Sequence, residues 1–443
     1  MEETAAHNKK LRAGIIGLGC RGVSMTGLLA ERDDLDITAV CDVYDDRISM
    51  MQEKLAAGGR ARPVGFTDYN ELISSPLTDV IFVFAAWEAH VPAVVAAMRA
   101  GKPVAFEVGG AYSLDDCRLL VSVWEETHTP AMMLENCMYG IREMTVTEMA
   151  RDGIFGDIMH VDGGYMHDLR SEIANGAKNR HYRLRNYLSR NCENYPTHEL
   201  GPICRLLGIN EDNRFLTLSS FSTAARGLND YAARTPGIDP ALADAHFAQG
   251  DVVTTIITTA KGQTVKITLD TTLARPYSRG LTVHGTRGFF CEDNLSVYTD
   301  DTNSEADHFR WRNFWGNFDG WIEKYQPKLW RDYTAAGIKK GHGGMDFLVL
   351  DAFITSVKED LPMPIDIYDA AVLMAVSPLS ALSVSKGGAP VAFPDLLNGR
   401  DPASIPRCEG IYSLHRTAKK NKSLKFCLEI WHENTEVHKG TPA

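Results

Sequence analysis

The stretch that decides the fold is Leu11-Arg12-Ala13-Gly14-Ile15-Ile16-Gly17-Leu18-Gly19-Cys20-Arg21-Gly22, a short apolar run that leads straight into Gly-x-Gly-x-x-Gly and then into helix-forming sequence. Each glycine has a task in that setting. Gly17 permits the tight turn out of a strand, Gly19 lets a pyrophosphate approach the backbone, and Gly22 allows the helix to pack closely on the strand. The helix N-terminus then faces the phosphates. Asp42 stands twenty positions past Gly22, at the end of the next apolar run. A carboxylate there accepts hydrogen bonds from the adenosine ribose hydroxyls and repels a 2′-phosphate, so the motif reads as a site for NAD rather than NADP.

Outward from this motif, short apolar runs alternate with helical patterns. Residues 11–18, 37–43, 79–86, 103–108 and 131–134 read as buried strands, and 24–31, 45–57, 90–100 and 114–126 as helices. Such alternation gives right-handed crossovers and a parallel, doubly wound sheet. Trp87 and His90 follow the third of these strands, at the carboxyl edge where such sheets bind ligands; His90 there is either a cofactor contact or a cap for the next helix. Glu135 and Asn136 end the last strand at the same edge. Near Gly140 the pattern changes. Residues 159–167, 215–223, 252–259, 264–272 and 281–284 alternate polar with apolar, strand after strand, as in an open and mostly antiparallel sheet. Helical segments follow at 345–359 and 369–386, while 224–250 and 309–330 read as long loops or insertions and 421–443 as a polar tail. The fold class expected is an α/β Rossmann domain over residues 1–140, then an α+β domain with an open sheet over 141–443, its C-terminal helices free to pack back on the first domain. The free face of an open sheet is commonly covered by another copy, so a homodimer or homotetramer is expected.

Composition narrows the partners. The 443 residues are 44% hydrophobic and 23% charged with a net charge of −11, which disfavours nucleic acid and anionic membrane surfaces. Nine cysteines are scattered without a CxxC, which indicates neither a disulfide framework nor a structural zinc site. No HExxH-like spacing appears either, and no metal is expected. The N-terminal stretch 1–10 is too polar for a signal peptide, and no apolar run approaches the roughly 18 residues of a membrane span. A reducing, cytoplasmic setting is the expectation.

Candidate chemistry gathers in the second half. Tyr165 and His167, at i and i+2 of a strand, point to one sheet face. Tyr195 and His198, at i and i+3, open a helix over 196–207 as neighbours. Without further information His167 could equally hydrogen-bond within the sheet, and Tyr277 after Pro276 could be a packed loop aromatic.

The order of elements resembles the glucose–fructose oxidoreductase, inositol dehydrogenase and MocA family. Simple dehydrogenases of that family carry Glu-Lys-Pro after the fifth strand, with the lysine at the reacting carbon; here the sequence is Phe106-Glu107-Val108-Gly109-Gly110, and the lysine is absent. Several stretches are similar to one branch, glycoside hydrolase family 109: Cys20-Arg21-Gly22, Glu107-Val108 with Ala111-Tyr112-Ser113, Leu134-Glu135-Asn136, Tyr165-Met166-His167-Asp168-Leu169-Arg170, Asn194-Tyr195-Pro196-Thr197-His198-Glu199, Arg275-Pro276-Tyr277-Ser278-Arg279 and Gly341-His342-Gly343-Gly344-Met345-Asp346-Phe347. Known members of that branch are NAD-dependent α-N-acetylgalactosaminidases. The resemblance implies a small glycoside substrate and a tightly bound NAD that is reduced and reoxidised within each turnover. The sugar is oxidised at C3, deprotonated at C2, loses its aglycone by elimination, gains water at C1 and is reduced again. It further implies that Tyr165, Arg183, Tyr195 and Tyr277 contact the sugar and that His198, beside the nicotinamide, shuttles the C3 hydroxyl proton. Tyr165 serves as the C2 base, provided its pKa is perturbed, with His167 in the same group. The cofactor side comprises Gly17, Gly19, Cys20, Arg21, Gly22, Asp42, Trp87, His90, Glu107, Glu135, Asn136, Tyr195 and His198. The alternative activity is a net NAD-dependent sugar dehydrogenase that forms a 3-keto sugar. Segment 171–194 departs from the family pattern apart from Tyr182-Arg183, and Asn194 stands where simple dehydrogenases place an Asp.

Overall fold

The computed structural model describes residues 10–300, 309–339 and 341–415, so the expected tail 421–443 lies outside the described residues. The first sheet contains β1 (Leu11–Ile16), β2 (Leu35–Cys41), β3 (Val64–Phe66), β4 (Val80–Val83), β5 (Val104–Phe106) and β6 (Ala131–Met133). All pairs are parallel, in the order β3-β2-β1-β4-β5-β6. The strand order reverses between β1 and β4, which places the binding crevice at their carboxyl ends, between Gly17 and Trp87. β3 escaped the sequence reading because it is three residues long and half exposed at the sheet edge.

The glycines act as expected from their spacing. Gly17 takes φ +95°, and a Cβ there would stand 2.5 Å from Ala85 N; a Cβ on Gly22 would stand 2.0 Å from Gly17 O. Around Gly19 the space is open, the nearest atom to a Cβ being Arg47 Nη1 at 3.9 Å. Gly19 also caps the helix Cys20–Ala30 without any side-chain hydrogen bond, leaving that helix's first amides free for an anion.

The second sheet comprises β7 (Ile158–Met166), β8 (Phe215–Ser222), β9 (Val252–Thr259), β10 (Thr264–Asp270), β11 (Thr282–Gly285), β12 (Gly288–Cys291), β13 (Ser296–Thr299) and β14 (Val391–Ala392). Their order is β13-β12-β11-β7-β10-β9-β8-β14, antiparallel except for the parallel pair β7–β10. One face packs under the helices Thr197–Leu207, against β7, and Ile367–Ser385, against β8. The opposite face bears threonines and a charged set around Asp162, with His160 Nε2 at 3.3 Å, His284 Nε2 at 3.4 Å and Lys266 bonded to it.

Two segments expected to be long loops are partly helical. Residues 224–250 contain the helix Gly227–Arg234 and a 3-10 turn Pro240–Ala243, and 309–330 contain Trp311–Phe314 and Asp319–Tyr325. The helix Gly227–Arg234 is capped from a distance: Asp251 accepts from Arg226 N at 2.7 Å and Gly227 N at 3.0 Å, so no local capping signal precedes it.

The helix Ile367–Ser385 is apolar and long enough to cross a bilayer by composition alone, yet it is the central helix of the molecule. It begins in a capping box of Asp366 and Asp369 and packs on the helix Leu114–Thr127 and β6 of the first sheet as well as on β8. Ala111 N donates to Met374 O at 3.2 Å, and Tyr368 OH to Glu125 at 2.8 Å. Replacing Gly22 with Ala drives a methyl into Gly17 O; a loss of roughly 1–3 kcal/mol in denaturant midpoint measurements is expected, together with weakened NAD binding.

Candidate active site

The cofactor cradle is held by hydrogen bonds from its own loops. Asp42 accepts from Leu18 N at 2.8 Å and from Tyr44 N at 3.1 Å, with Arg47 Nη1 at 3.5 Å. Two amide donors leave free lone pairs on the carboxylate for ribose hydroxyls. Arg21 donates to Glu107 at 2.7 Å and to both oxygens of Asp346 at 2.8 and 2.9 Å. Asn136 Nδ2 and His342 Nδ1 also meet Asp346, each at 2.7 Å. Burial alone would raise the Asp346 carboxyl; hydrogen bonds from His342 and Arg21 reverse this and hold it far below the usual range. Cys20 is exposed at the mouth of this cradle. His90 lies behind it: its ring meets Ala85 O at 3.0 Å, and burial lowers its pKa to about 4, so it is a neutral core imidazole. The structure gives it the local role of fastening the turn after β4, not a surface facing a ligand.

The sugar-side candidates converge beside this cradle. Tyr165, at the end of β7, has its hydroxyl 3.0 Å from His167 Nδ1 and its ring 4.4 Å from that of Tyr195. Tyr195 OH lies 3.3 Å from His198 Nε2, and His198 Nδ1 lies 2.8 Å from Glu135 Oε1. Glu135 is fully buried; burial raises its pKa, but the charge and hydrogen bond of His198 outweigh this and the carboxyl is lowered, ready to balance an imidazolium. Tyr277, half exposed, closes the group with its ring 5.1 Å from His167 and 6.3 Å from Tyr165.

Tyrosine as base needs a correction. Burial pushes Tyr165 up to about 12, only partly offset by Arg183, so its hydroxyl holds the proton more firmly than a free phenol. Burial and Arg183 lower His167 instead, and this half-buried imidazole is the better proton acceptor of the pair.

Arg183 is 7% exposed, with its guanidinium 5.0 Å over Tyr195 and 5.2 Å over Trp87. Its Nε stands 2.8 Å from Glu172, while its Nη1 has no hydrogen-bond partner among the described residues. A buried donor of this kind suits a polar group of a bound sugar. Sequence reasoning missed Glu172, which lies in the divergent segment, and Asp346, although its motif was in view. It also missed a buried cluster below Tyr277: Arg279 pairs with Glu143, stands 3.3 Å from Glu199 and 3.6 Å from Glu292, and donates to Tyr277 OH at 3.5 Å. Burial and Glu143 push Glu199 well above the carboxylate range. Glu135, Cys137 and His198 offer ligand atoms within 4.8 Å of one another. Burial pushes the Cys137 thiol well above its usual range, and Glu135 bonds His198.

Comparison with known proteins agrees with this geometry. Residues 11–134 match the oxidoreductase family, NAD-binding Rossmann fold, and residues 139–401 match the glycosyl hydrolase 109 C-terminal domain. An α-N-acetylgalactosaminidase of Tannerella forsythia is 35% identical over 413 residues, covering 88% of this chain and 87% of that protein. A glycosyl hydrolase family 109 protein of Stenotrophomonas maltophilia is 33% identical over 418 residues, covering 89% and 90%. In fold, the chain is similar to levoglucosan dehydrogenase in complex with NADH and levoglucosan (TM-score 0.63, 16% identity, 87% of this chain and 100% of that one). It is also similar to myo-inositol 2-dehydrogenase of Lactobacillus plantarum (TM-score 0.61, 15% identity, 87% and 100%). The class is therefore a two-domain enzyme with an NAD-binding Rossmann domain and a mixed-sheet domain. Within that class, the chain belongs to glycosyl hydrolase family 109.

Glu193, next to Asn194, is buried, and burial, only partly offset by the Tyr195 backbone amide, raises its pKa to about 8. Between its ordinary value near 4.5 and about 8 the folded chain therefore binds one more proton than the unfolded one. Stability falls as pH rises through this window, by up to roughly 1.4 kcal/mol per pH unit. Glu193→Gln is expected to flatten that slope, measured as denaturant midpoints at pH 5 and pH 8; an unchanged slope removes Glu193 as its source.

Proposed function

We propose that this chain is an NAD-dependent glycosidase that cleaves an α-N-acetylgalactosaminide by transient oxidation at C3. The observation that carries the reading is the pairing of two imidazoles with two different oxygen partners, His198 with Glu135 and His167 with Tyr165, beside the cofactor cradle. Neither pair matches the two opposed carboxylates of an ordinary glycosidase. NAD, when bound, supplies a reversible hydride acceptor and donor for C3. His198 Nε2 takes the proton of the C3 hydroxyl as the ketone forms, and Glu135 stabilises the resulting imidazolium. The ketone acidifies the C2 proton, which His167 accepts, directly or through the Tyr165 hydroxyl. The C1–O bond then breaks, and the departing aglycone oxygen takes the proton held by His167. Water adds its hydroxyl at C1 and gives its other proton through His167 to C2, and His198 gives its proton back to the C3 oxygen as the ketone is reduced. Atoms balance as hydrolysis, with no net redox change. Arg183, Tyr195 and Tyr277 hold the sugar, and NAD stays bound from one turnover to the next. In the same reading a second copy covers the open sheet face around Asp162.

The test uses proton NMR in D2O with an α-N-acetylgalactosaminide that carries a chromogenic aglycone. Aglycone release, deuterium at C2 of the product and no net NADH are expected. NADH or 3-keto sugar accumulating without cleavage would make the chain a sugar dehydrogenase instead. His198→Ala and His167→Ala should each lower turnover by roughly 10²–10⁴-fold while NAD remains bound; near-native rates in either remove that histidine from the mechanism.

A further inference from the structure

Between β7 and the helix Thr197–Leu207 the chain runs back to the carboxyl edge of the first sheet through the short helices Arg170–Ala174, Gly176–Asn179 and Arg183–Ser189. It is fastened there at three places. At the β2 end, beside Asp42, Arg180 pairs with Asp46 through both oxygens at 2.8 and 2.6 Å and lies 4.3 Å over the Tyr44 ring. Arg47 reaches up from the first domain and donates to Asn179 O at 3.0 Å and Arg180 O at 3.4 Å. At the β4 end Arg183 lies over Trp87, and Arg185 pairs with Glu88. Beyond β5, Tyr112 OH donates to Asn186 Oδ1 at 2.6 Å, and Arg190 donates to Ala111 O at 3.0 Å while lying 4.0 Å over the Tyr112 ring.

The first two anchor points bracket the Gly17–Gly22 turn. β2 and β4 flank β1, so their ends are separated by two strand spacings, about 10 Å. Arg180 and Arg183, three residues apart, reach these two ends through their long side chains. Arg180 itself takes φ +53°, a turn conformation unusual for a side chain of its size. A dinucleotide held with its ribose at Asp42, its pyrophosphate at Gly19 and its nicotinamide near Trp87 would lie beneath this segment.

We propose that residues 176–190 form a strap over the bound dinucleotide and that Arg180, supplied by the second domain, is a cofactor-retaining residue. The Arg180–Asp46 pair is exposed and alone contributes little. Its effect comes from holding one end of a segment whose other contacts must break with it before the dinucleotide can leave. This gives a physical basis to the retention of NAD assumed in the proposed function, and it rests on the cofactor assignment rather than on the identity of the sugar.

The experiment follows release of radiolabelled NAD from the full-length protein into an excess of unlabelled NAD. It compares the unaltered chain with Arg180→Glu, Asp46→Arg and the double reversal, with thermal melts confirming that each variant folds. Each single reversal is expected to speed release about tenfold, and the double reversal, which restores an oppositely oriented pair, to slow it again. Unchanged release in both single variants overturns the strap, as does a double variant that is no slower than the singles. An unaltered chain that releases NAD as fast as its variants also overturns it. A chain that binds no labelled NAD at all overturns the cofactor assignment beneath it.

Discussion

The Arg21 guanidinium, set between Glu107 and Asp346, is the contact on which the relation of the two domains depends. Arg21 belongs to the glycine fingerprint, Glu107 to the turn after β5 and Asp346 to the helix Met345–Glu359 of the second domain; Asn136, next to Glu135, is bonded to the same carboxylate. A single cation therefore sets the cofactor cradle and the residue beside the His198 partner in one frame. Removing it would leave Glu107 without its arginine and Asp346 with only His342 and Asn136, a loss of roughly 3–5 kcal/mol for a broken buried pair. The same contact accounts for the sequence after β5. Glu107 is engaged by Arg21, and Gly109, at φ +145°, gives Trp87 the space a side chain would fill, since a Cβ there would stand 2.5 Å from its ring. Val108, which stands where simple dehydrogenases carry the lysine, is buried.

Burial divides the work among the aromatic and imidazole side chains. Tyr165 and Tyr195 lie in a stack with Trp87 and Arg183, and withdrawal from water raises both phenols, so they hold protons and shape the site. The imidazoles are each tied to oxygen partners, His198 to Glu135 through Nδ1 and to Tyr195 OH through Nε2, and His167 to Tyr165 OH through Nδ1. Arg279 serves this arrangement at one remove: its bond to Tyr277 OH and its seat among three buried glutamates fix the loop that forms the outer wall.

What could be read from the sequence was whatever its local periodicity encodes. The Gly17–Gly22 turn with Asp42 is defined by spacing along the chain, as are Tyr165 with His167 and Tyr195 with His198, and the structure brings each pair together. Contacts between distant segments left no such trace. Asp346 meets Arg21 across more than three hundred residues, Glu143 meets Arg279 across more than a hundred, and the helix Gly227–Arg234 takes its cap from Asp251. His90 and Tyr165 show a different limit, because burial decides whether an imidazole is a ligand contact or core and whether a phenol can act as a base, and neither residue's neighbours in sequence report its burial. Strands of two to four residues, such as β3 and β14, carry too few side chains for an alternating pattern to register.

Segment 171–194 departs from the family pattern, yet it is tied to the rest of the molecule at more points than a free loop would be. Arg183, paired with Glu172, lies over Trp87 and Tyr195, while Arg180, Asn186 and Arg190 engage the first domain within the same twenty residues. A change in sugar preference that reshapes the short helix Arg183–Ser189 therefore also alters the grip on the dinucleotide, because the two groups of contacts share one rigid piece of backbone. In an enzyme whose cofactor must leave after every turnover this coupling would be a handicap, since tighter hold on the sugar would slow exchange. Where the hydride returns to the substrate in the same site, release is not part of the cycle, and one segment can hold both ligands.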